Sequence, residues 1–448
     1  MKLEGFKENT KKKIIVISFT VLCLLLIAGV YLYTSYAFYE EKKDFNVING
    51  TVEDPGDLYF AYYVDGKISR TMPSKNIGYT LDTTKSSCDN GVTVDWDYSK
   101  WKANIYYENY AATDNTRTKC TLYFNKTAKT VKTALGNIEV NSYKPDLTKS
   151  ACDTSNCESH EKGIFETTDA DGTSYYYRGA VENNYLKFAG YYWRVVRING
   201  NGSVRIIYDG TSAHANGESS TDRQYGTSQF NTNYNNNMYV GYMYTSGEAH
   251  GTGTSSTIKT NADKFYTDKL SSYASKLDTN AGFCGDRSNL NQQSGVGTGT
   301  VITYNKGYLR VVESAPTLTC ENASDYYTVA SASSGNKKLS YPIGLITADE
   351  VMLAGHAGGV FDGGFNHQKT NNGSYLVTGN SFWTMTPAGG YTPFGFTDWS
   401  AYVFVVGGSG SIDDNGAGHP IGLRPVVNLK SGVTITGSGT KTDPYVVS

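Results

Sequence analysis

The sequence predicts an α+β C-terminal domain, preceded by a small all-β sandwich and a single N-terminal transmembrane helix. Three observations support this fold class. Residues 14–33 form an uncharged apolar run, residues 44–126 alternate short strand-like segments with turns, and residues 162–448 combine strand-rich sequence with two capped helical segments. A chain of 448 residues usually holds more than one hydrophobic core, so several domains are expected.

The composition favours strands and loops and argues against nucleic acid as a partner. Charged residues make up 18% of the chain, which also contains 37 tyrosines and 48 glycines. Aromatic residues favour strands and glycines favour turns, while strongly helix-forming residues are few. The formal net charge of -2 provides no basic surface of the kind that nucleic-acid-binding proteins use.

The N-terminus predicts a membrane anchor. Residues 1–13 form a basic cytoplasmic tail, and residues 14–33 form an apolar run of 20 residues, which at about 1.5 Å per residue spans the bilayer core of about 30 Å. Lysines before the run place the rest of the chain outside. The expected location is the cell membrane, single-pass, with an extracellular C-terminal domain. A cleaved signal peptide is the alternative, because Ser35-Tyr36-Ala37 is a small-x-small cleavage site.

Residues 44–126 predict the β-sandwich. A strand-like segment, residues 58–64, runs into the hairpin turn Asp65-Gly66, and another follows Asn90-Gly91. No helical period interrupts these segments. The simplest role for this domain is a spacer, and a second binding site is the alternative. Residues 127–161 mix charged and small polar residues and are predicted to be a linker.

The cysteines indicate disulfide bonds. Cys23 lies in the apolar run, and six cysteines lie outside it. Sequence order would pair Cys88 with Cys120, Cys152 with Cys157, and Cys284 with Cys320, although other connectivities remain possible. A metal site is not predicted, since no C-x-x-C pair or nearby histidine ladder has zinc spacing. No cofactor is predicted either.

The C-terminal domain, residues 162–448, opens with a hairpin formed by residues 185–199 and 204–208. Arg194, Arg197 and Arg205 alternate there with apolar residues, which predicts a strand pair with one buried face and one solvated face. The periodicity of residues 257–277 behind a Ser256 cap predicts one helix. A capping box formed by Thr347 and Glu350 predicts a second.

The last part of the domain brackets a loop-rich insert between two apolar ends, residues 382–385 and 423–427. The segments FWTMTP (382–387), AYVF (401–404) and GLRPVV (422–427) resemble the C-type-lectin-like domains of surface proteins of monoderm bacteria, a group that includes variable proteins diversified by retroelements. FCGDRS (283–288) and YPIGLITADEV (341–351) support this resemblance, which covers residues 163–448. It implies a C-type-lectin-like domain with the fold of the formylglycine-generating enzyme.

Two activities of such proteins do not carry over. The calcium-dependent sugar-binding tripeptides Glu-Pro-Asn and Gln-Pro-Asp are absent from this sequence, and no cysteine follows Cys320 to supply the copper-binding pair of the formylglycine-generating enzyme. Asp413-Asp414-Asn415-Gly416 has a composition compatible with a calcium loop, and equally with a plain turn. The resemblance therefore predicts that the domain binds a ligand through surface side chains.

The insert supplies the predicted ligand-binding residues. Aromatic anchors interleaved with small polar and acidic residues are typical of protein binding surfaces, although several of these aromatics could instead belong to the core. The predicted ligand-binding residues are Tyr391, Phe394, Phe396, Asp398, Trp399, Ser400, Asp413, Asn415 and His419.

No catalytic residues are predicted. His356, His367 and His419 form no diagnostic spacing with Asp or Glu, and no nucleophile-elbow or zinc-protease motif occurs. The predicted function is that of a membrane-anchored bacterial surface receptor or adhesin, not an enzyme, which binds an extracellular protein or glycan. A structural or assembly protein of the cell envelope is the alternative, and a hydrolase is a third hypothesis.

Overall fold

The computed structural model describes eleven segments of the chain, and the chain divides into two units. The units are Met1–Thr127 and Ala128–Ser448. The described residues are 58–73, 79–97, 100–106, 117–126, 129–136, 139–151, 161–290, 303–329, 335–358, 373–391 and 400–448.

The first unit is built from a five-stranded sheet and a two-stranded sheet. The sheet order is β2-β1-β7-β3, with β4 also paired to β7, while β5 pairs with β6. Strands β1 and β7 run parallel, whereas the hairpin β1–β2 turns at Asp65-Gly66 as the sequence predicts. The strands are β1 (Leu58–Val64), β2 (Lys67–Ser69), β3 (Tyr79–Leu81), β4 (Ser87–Cys88), β5 (Thr93–Asp97), β6 (Lys102–Tyr106) and β7 (Thr118–Lys126).

Strand β7 shows why this unit has one buried face. Cys120, Leu122 and Phe124 are buried, whereas Lys119, which precedes Cys120, is exposed. Successive side chains of a strand point to opposite faces, so the first three reach the core beside Trp96, whose ring lies 5.0 Å from that of Phe124. A disulfide between Cys88 and Cys120 joins β4 to β7, as predicted.

The described residues of the second unit form twenty strands. They are β8 (Lys129–Thr130), β9 (Gly163–Asp169), β10 (Gly172–Arg178), β11 (Tyr185–Phe188), β12 (Tyr191–Ile198), β13 (Val204–Gly210), β14 (Thr227–Ser228), β15 (Met243–Tyr244), β16 (Thr254–Ser255), β17 (Phe283–Cys284), β18 (Thr303–Tyr304), β19 (Tyr326–Tyr327), β20 (Ile343–Gly344), β21 (Phe382–Tyr391), β22 (Ser400–Val406), β23 (Ile412–Gly416), β24 (Ile421–Gly422), β25 (Val426–Leu429), β26 (Thr434–Thr436) and β27 (Tyr445–Val447).

The helices of this unit are short. The α-helices are α1 (Val131–Gly136), α2 (Thr257–Phe265), α3 (Lys306–Glu313) and α4 (Ala348–Leu353). A π-helical turn, Tyr266–Leu270, and a 3-10 helix, Ser271–Lys276, continue from α2. Further 3-10 helices are Thr221–Arg223, Asn237–Val240 and Ala323–Asp325.

Two larger sheets share one hydrophobic core. A ten-stranded sheet has the order β20-β25-β13-β12-β11-β27-β26-β8, with β10 paired to β12 and β9, and a six-stranded sheet has the order β14-β24-β21-β22-β23, with β18 paired to β21. Trp193 of the first sheet and Trp383 of the second are fully buried in the same cluster as α2 and α4 side chains. Residues 129–136, within the segment predicted as a linker, form β8 and α1 of this unit.

The predicted α+β C-type-lectin-like fold class is wrong. Among the described residues, 39% lie in strands and 15% in helices. The pattern over residues 257–277 predicts one long helix, yet the α-helix ends at Phe265. Both predicted caps are confirmed: Ser256 accepts a hydrogen bond from the Lys259 N–H, and Thr347 and Glu350 form a capping box. A cap fixes where a helix begins, but paired strands take up more of the described residues than helices do.

The predicted transmembrane helix and single-pass localisation are corrected as well. Within the segments that the structure describes, no helix is long and apolar enough to cross a membrane. The basic tail and the apolar run, residues 1–33, lie outside the described residues.

The arginines of the β12–β13 hairpin are buried, contrary to the predicted solvated face. Arg194, Arg197 and Arg205 are 0%, 6% and 2% exposed. Arg197 and Arg205 both donate to Glu350 of α4, at 2.8 and 2.7 Å, and Arg197 also pairs with Asp169 at 2.8 Å. Helix α4 therefore covers the face that the alternation assigned to solvent, and its carboxylate compensates the buried charge.

Candidate functional site

The framework around the C-terminal insert is a three-stranded part of the six-stranded sheet. Strand β22 lies between β21 and β23, antiparallel to both. Tyr391, the last residue of β21, pairs with Ser400, the first residue of β22. The two strands that flank residues 392–399 in the chain are therefore paired up to their last and first residues.

Part of the predicted site can be located. Phe394, Phe396, Asp398 and Trp399 lie outside the described residues, as does the side chain of Tyr391. The remaining four predicted residues are Ser400 in β22, Asp413 and Asn415 in β23, and His419 in the following turn.

The four described residues lie on two faces of the sheet. Asp413 pairs with Val405 and Asn415 pairs with Val403, and directly paired residues share a face. His419 contacts Asn415 through its Nδ1 atom. Ser400 lies on the opposite face, because the alternation along β22 places it with Tyr402. The structure does not bring these four predicted residues into one surface.

A different group of side chains converges on the face that carries Ser400. We call it the aromatic–acidic surface, and it consists of Tyr304, Tyr308, Tyr402 and Asp414. The rings of Tyr304 and Tyr308 lie 4.9 Å apart, and Tyr308 stacks on Phe404 at 6.4 Å. Phe404 pairs with Asp414 across β22 and β23. The three tyrosines are half-buried, so each ring keeps part of its surface in water.

The electrostatics of this surface connect Asp414 to two phenols. Burial raises the pKa of Tyr308, and the nearby Tyr304 and Asp414 raise it further. Burial likewise raises the pKa of Tyr402, with Asp414 as the next cause, while a hydrogen bond with Ser400 lowers it. Both phenols therefore stay protonated at neutral pH. The surface combines hydroxyl groups that donate and accept with a carboxylate that accepts.

Glycines allow α3 and β18 to approach β21 closely enough to form this surface. A Cβ atom on Gly307 of α3 would lie 2.4 Å from Cγ2 of Thr386. Gly389 has φ +157°, and a Cβ atom there would lie 2.2 Å from the carbonyl oxygen of Thr303. These contacts place Tyr304 and Tyr308 over β22. Tyr304 and Tyr308 lie four residues apart, but Tyr304 is in β18 and only Tyr308 is in α3, so helical spacing does not signal this pair in the sequence.

Among the described histidines, His214 has contacts that resemble those of a hydrolytic triad. Its Nδ1 lies 2.9 Å from Oε1 of Glu218, and its Nε2 lies 3.2 Å from Oγ of Ser212, as a hydrolytic triad requires. However, Nε2 also lies 2.8 Å from Oδ1 of Asp222. Each ring nitrogen therefore faces a carboxylate, and Ser212 shares Nε2 with Asp222, which differs from the serine–histidine pair of a triad.

His214 is better described as a structural contact within its loop. The hydrogen bond from His214 lowers the pKa of Glu218 to about 2, together with the Ala215 N–H. Burial raises the pKa of Asp222, but hydrogen bonds from Ser220, Thr211 and His214 outweigh it and lower the pKa overall. Both carboxylates thus remain ionised and hold the ring. In the part of the chain that the structure describes, no group of three or more His, Cys, Asp or Glu side chains could hold a metal ion.

His356 is one of the three histidines that the sequence offered as possible catalytic residues, and it is fully buried. Its Nδ1 lies 2.6 Å from the Gly410 carbonyl oxygen, and its Nε2 lies 2.9 Å from Oγ of Ser374. Burial lowers the pKa of His356 to about 4, although the bond to Gly410 raises it and Arg178 lowers it. The ring is neutral in the folded protein, and the candidate base is a core residue.

We expect His356 to make the protein less stable as pH falls. The unfolded chain binds a proton near pH 6.5, whereas the folded chain binds it near pH 4, so stability is lost as pH falls from 6.5 to 4. The loss is about 3 kcal/mol. Urea unfolding at several pH values gives the free energy of unfolding as a function of pH. Between pH 6.5 and 4 this free energy should change less steeply with pH for His356→Gln than for the wild type. The same pH dependence of the free energy of unfolding in both proteins would contradict the lowered pKa of His356.

The second described disulfide also lies in this unit. Cys284 bonds to Cys320, as predicted, and fastens β17 to the segment before β19. Cys152 and Cys157 lie outside the described residues.

Comparisons with known proteins add no assignment. No protein-family model matches the chain, no curated protein matches it, and no solved structure matches it. The resemblance to C-type-lectin-like surface proteins stays a prediction from the sequence.

Proposed function

We propose that the protein is a receptor or adhesin that binds a hydroxyl-rich ligand, a glycan or a glycosylated macromolecule, on the aromatic–acidic surface. The observation that carries this proposal is the position of Asp414, which raises the pKa of both Tyr308 and Tyr402. A carboxylate between two half-buried phenols supplies acceptors and donors beside apolar ring faces. This combination suits sugars, which present hydroxyl groups at their edges and C–H groups on their faces.

The sequence between β21 and β22 contains residues of the same chemical types. Residues 392–399 contain Phe394, Phe396 and Trp399, and they enter β22 two residues before Tyr402. Aromatic anchors and adaptable polar groups supply much of the contact energy at protein binding surfaces. The ligand-binding residues would then include both the aromatic–acidic surface and the aromatics of this segment.

The disulfides support a role in an oxidising compartment. The bonds Cys88–Cys120 and Cys284–Cys320 are of the kind that persists in secreted and surface proteins and is rare in the cytosol. A receptor or adhesin works under such conditions, where its ligands are also found.

The first test is binding of the full chain to an array of glycans and surface glycoproteins, compared with the double variant Tyr308→Ala/Asp414→Asn. We expect the dissociation constant for the array ligand to rise at least tenfold, because the variant removes a ring face and a charged acceptor. A tenfold change corresponds to about 1.4 kcal/mol.

A matched control is Tyr273→Ala/Asp268→Asn, which removes the same two side-chain types from the same unit. Tyr273 is 38% exposed, and Asp268 pairs with Lys264 on the surface of the protein. This control should bind like the wild type. If it loses binding to the same degree as Tyr308→Ala/Asp414→Asn, or if neither variant loses binding, the ligand is not held by the aromatic–acidic surface.

A further inference from the structure

The second unit has a cavity at one end of its ten-stranded sheet, where several connections between strands meet. The cavity has a volume of about 860 Å³, within the usual range of ligand sites, and we call it the turn cavity. Its described lining comes from the β9–β10 turn, the β12–β13 turn, residues 275–280 and residues 430–434. Most of the side chains there are polar, so the cavity suits a polar ligand.

One part of the lining carries two carboxylates, and the packing of two turns places them there. A Cβ atom on Gly200 would lie 2.6 Å from the Gly172 nitrogen and 2.7 Å from the Asp171 carbonyl carbon, so the β12–β13 turn packs closely on the β9–β10 turn. Next to Gly200, the Asn201 side chain donates to Oδ2 of Asp278 at 2.9 Å. Asp171 and Asp278 therefore line the same part of the turn cavity.

Asp278 presents a buried carboxylate that is held by neutral donors. The residue is 7% exposed, and its carboxylate accepts from the Asn201 amide and from the Asn280 N–H, each at 2.9 Å. A carboxylate can accept about four hydrogen bonds. Among the described residues, no lysine or arginine forms an ion pair with Asp278 or with Asp171. Both carboxylates can therefore accept from a charged donor on a ligand.

The carboxylates in this part of the cavity repel one another. Burial raises the pKa of Asp171, and the nearby Asp169 and Asp278 raise it further, whereas Arg197 lowers it. Arg197 pairs with Asp169 at 2.8 Å, so its charge mainly compensates that residue. A positively charged group beside Asp171 and Asp278 would relieve the repulsion. This part of the lining thus favours an ammonium group on the ligand.

A second part of the lining carries two ammonium groups. Lys276 ends a 3-10 helix and Lys430 follows β25, and the Lys430 N–H joins the two segments by donating to the Lys276 carbonyl oxygen at 2.9 Å. The Lys430 ammonium donates to the Ser275 carbonyl oxygen at 2.8 Å, and the Lys276 ammonium donates to a main-chain oxygen of Ser448. An ammonium has three N–H donors, so each lysine can also donate to a ligand.

The two charged parts of the lining select among classes of ligand. A plain cation would pair only with the carboxylates, and a plain anion would pair only with the ammonium groups. A metal ion is not favoured, because the part of the chain that the structure describes contains no group of three or more His, Cys, Asp or Glu side chains that could hold one. A molecule with both charges can pair with both parts, and such charge complementarity gives specificity.

We infer that the turn cavity binds a small zwitterion, a molecule that carries an ammonium group and a carboxylate. Asp171 and Asp278 would accept hydrogen bonds from its ammonium group, and Lys276 and Lys430 would donate to its carboxylate. This inference goes beyond the proposed function, because the ligand is a small charged molecule and the cavity shares no residue with the aromatic–acidic surface.

The test is isothermal titration calorimetry of the full chain with three ω-amino acids of increasing length, β-alanine, γ-aminobutyrate and ε-aminocaproate. The alkylamine and the alkanoate of the same carbon number serve as single-charge comparisons for each. We expect at least one ω-amino acid to bind about tenfold more tightly than both of its comparisons, because only the ω-amino acid pairs with both parts of the lining. Its binding should weaken as salt rises, because exposed charge pairs are screened.

The variant Asp171→Asn/Lys430→Met should lower the affinity for that ω-amino acid about tenfold, since it removes one charge from each part of the lining. The matched control is Asp268→Asn/Lys264→Met, which removes the same two side-chain types from a surface ion pair of the same unit. This control should bind like the wild type. Asp171→Asn alone should also weaken binding, and this exposed change keeps the contacts of Lys430 intact. Urea unfolding of each variant checks that it folds.

Several results would overturn the inference. Equal losses in the two double variants would show that the ligand is held elsewhere. An alkylamine that binds as tightly as its ω-amino acid would show that the cavity takes a simple cation, and an alkanoate that does so would show that it takes a simple anion. No binding of any of the three ω-amino acids would refute the site. The variant Tyr308→Ala/Asp414→Asn should bind the ω-amino acid like the wild type, so this outcome is separate from that of the proposed function.

Discussion

Replacing Asp209 with Asn should prevent the C-terminal unit from folding stably. Asp209 accepts hydrogen bonds through Oδ1 from Arg223 and from Arg424, each at 2.8 Å, and its Oδ2 lies 4.0 Å from Nη1 of Arg194. All four side chains are fully buried. The substitution removes the carboxylate from among three buried cations and keeps its shape.

The expected cost is at least that of breaking a buried ion pair, about 3 to 5 kcal/mol. Burial already lowers the pKa of Arg424 to about 9, while Asp209 raises it and the neighbouring Arg223 and Arg194 lower it further. The charged form of Arg424 is therefore already destabilised by burial and by the neighbouring arginines, and it depends on Asp209 for compensation. A loss of this size removes much of the stability of an ordinary domain, which is about 5 to 15 kcal/mol.

The measurement is urea unfolding of purified Asp209→Asn, followed by tryptophan fluorescence. Asp268→Asn is the matched control, since its carboxylate pairs with Lys264 on the surface and such pairs contribute at most about 1 kcal/mol. If Asp209→Asn does not fold, the double variant Asp209→Asn/Arg424→Met should recover folding, because it removes one buried cation. An Asp209→Asn protein as stable as the wild type would show that the cluster is neutralised in another way.

The second large effect is expected for Glu350→Gln. Glu350 Oε1 accepts from Arg197 and from Arg205 at 2.8 and 2.7 Å, and Oε2 accepts from the Thr347 N–H at 3.0 Å. One side chain thus closes the cap of α4 and neutralises the β12–β13 hairpin. A glutamine can keep the cap but cannot compensate the charge of Arg205, so we expect a loss of about 3 to 5 kcal/mol.

The pH dependence gives an independent test of Glu350. Burial raises its pKa, but Arg205 and Arg197 outweigh this effect and lower the pKa to about 2, from 4.5 in the unfolded chain. The contribution is fully present above pH 4.5 and is lost as pH falls towards 2. It amounts to about 3 kcal/mol.

The free energies of unfolding of the wild type and of Glu350→Gln should therefore converge as pH falls from 4.5 to 2. Glu166→Gln, an exposed change in β9, should stay within about 0.5 kcal/mol of the wild type throughout. Arg205→Met combined with Glu350→Gln should recover part of the lost stability. A constant difference between Glu350→Gln and the wild type at all pH values would mean that Glu350 is not ionised in the fold.

Several features of this protein follow from short stretches of sequence. The turn at Asp65-Gly66 has φ values of 50° and 76°, as a two-residue hairpin turn requires. The caps at Ser256 and Thr347 form as predicted, and two of the disulfides join cysteines that are neighbours in sequence order. Each of these features depends on contacts within a few residues or on loop closure within one domain, which a sequence displays directly.

The candidate site was only partly visible in the sequence. The insert is framed by the predicted strands, yet the described predicted residues divide between two faces, and only Ser400 touches the aromatic–acidic surface. Tyr304 and Tyr308 come from β18 and α3, far from the insert in the chain. Their meeting with Tyr402 depends on the β18–β21 ladder and on two glycines, so no pattern within the insert could reveal it.

The burial of Arg197 and Arg205 could not be predicted from the residues around them. Arg197 and Arg205 alternate with apolar residues, and this pattern is the same for a solvated face and for a face covered by a partner with a matching charge. The partner of Arg197 is Glu350, 153 residues away. The sequence by itself determined the turns and caps, because their free energies come from neighbouring residues. Only the tertiary structure decided which charges are buried and which rings share a surface, because those contacts join distant segments.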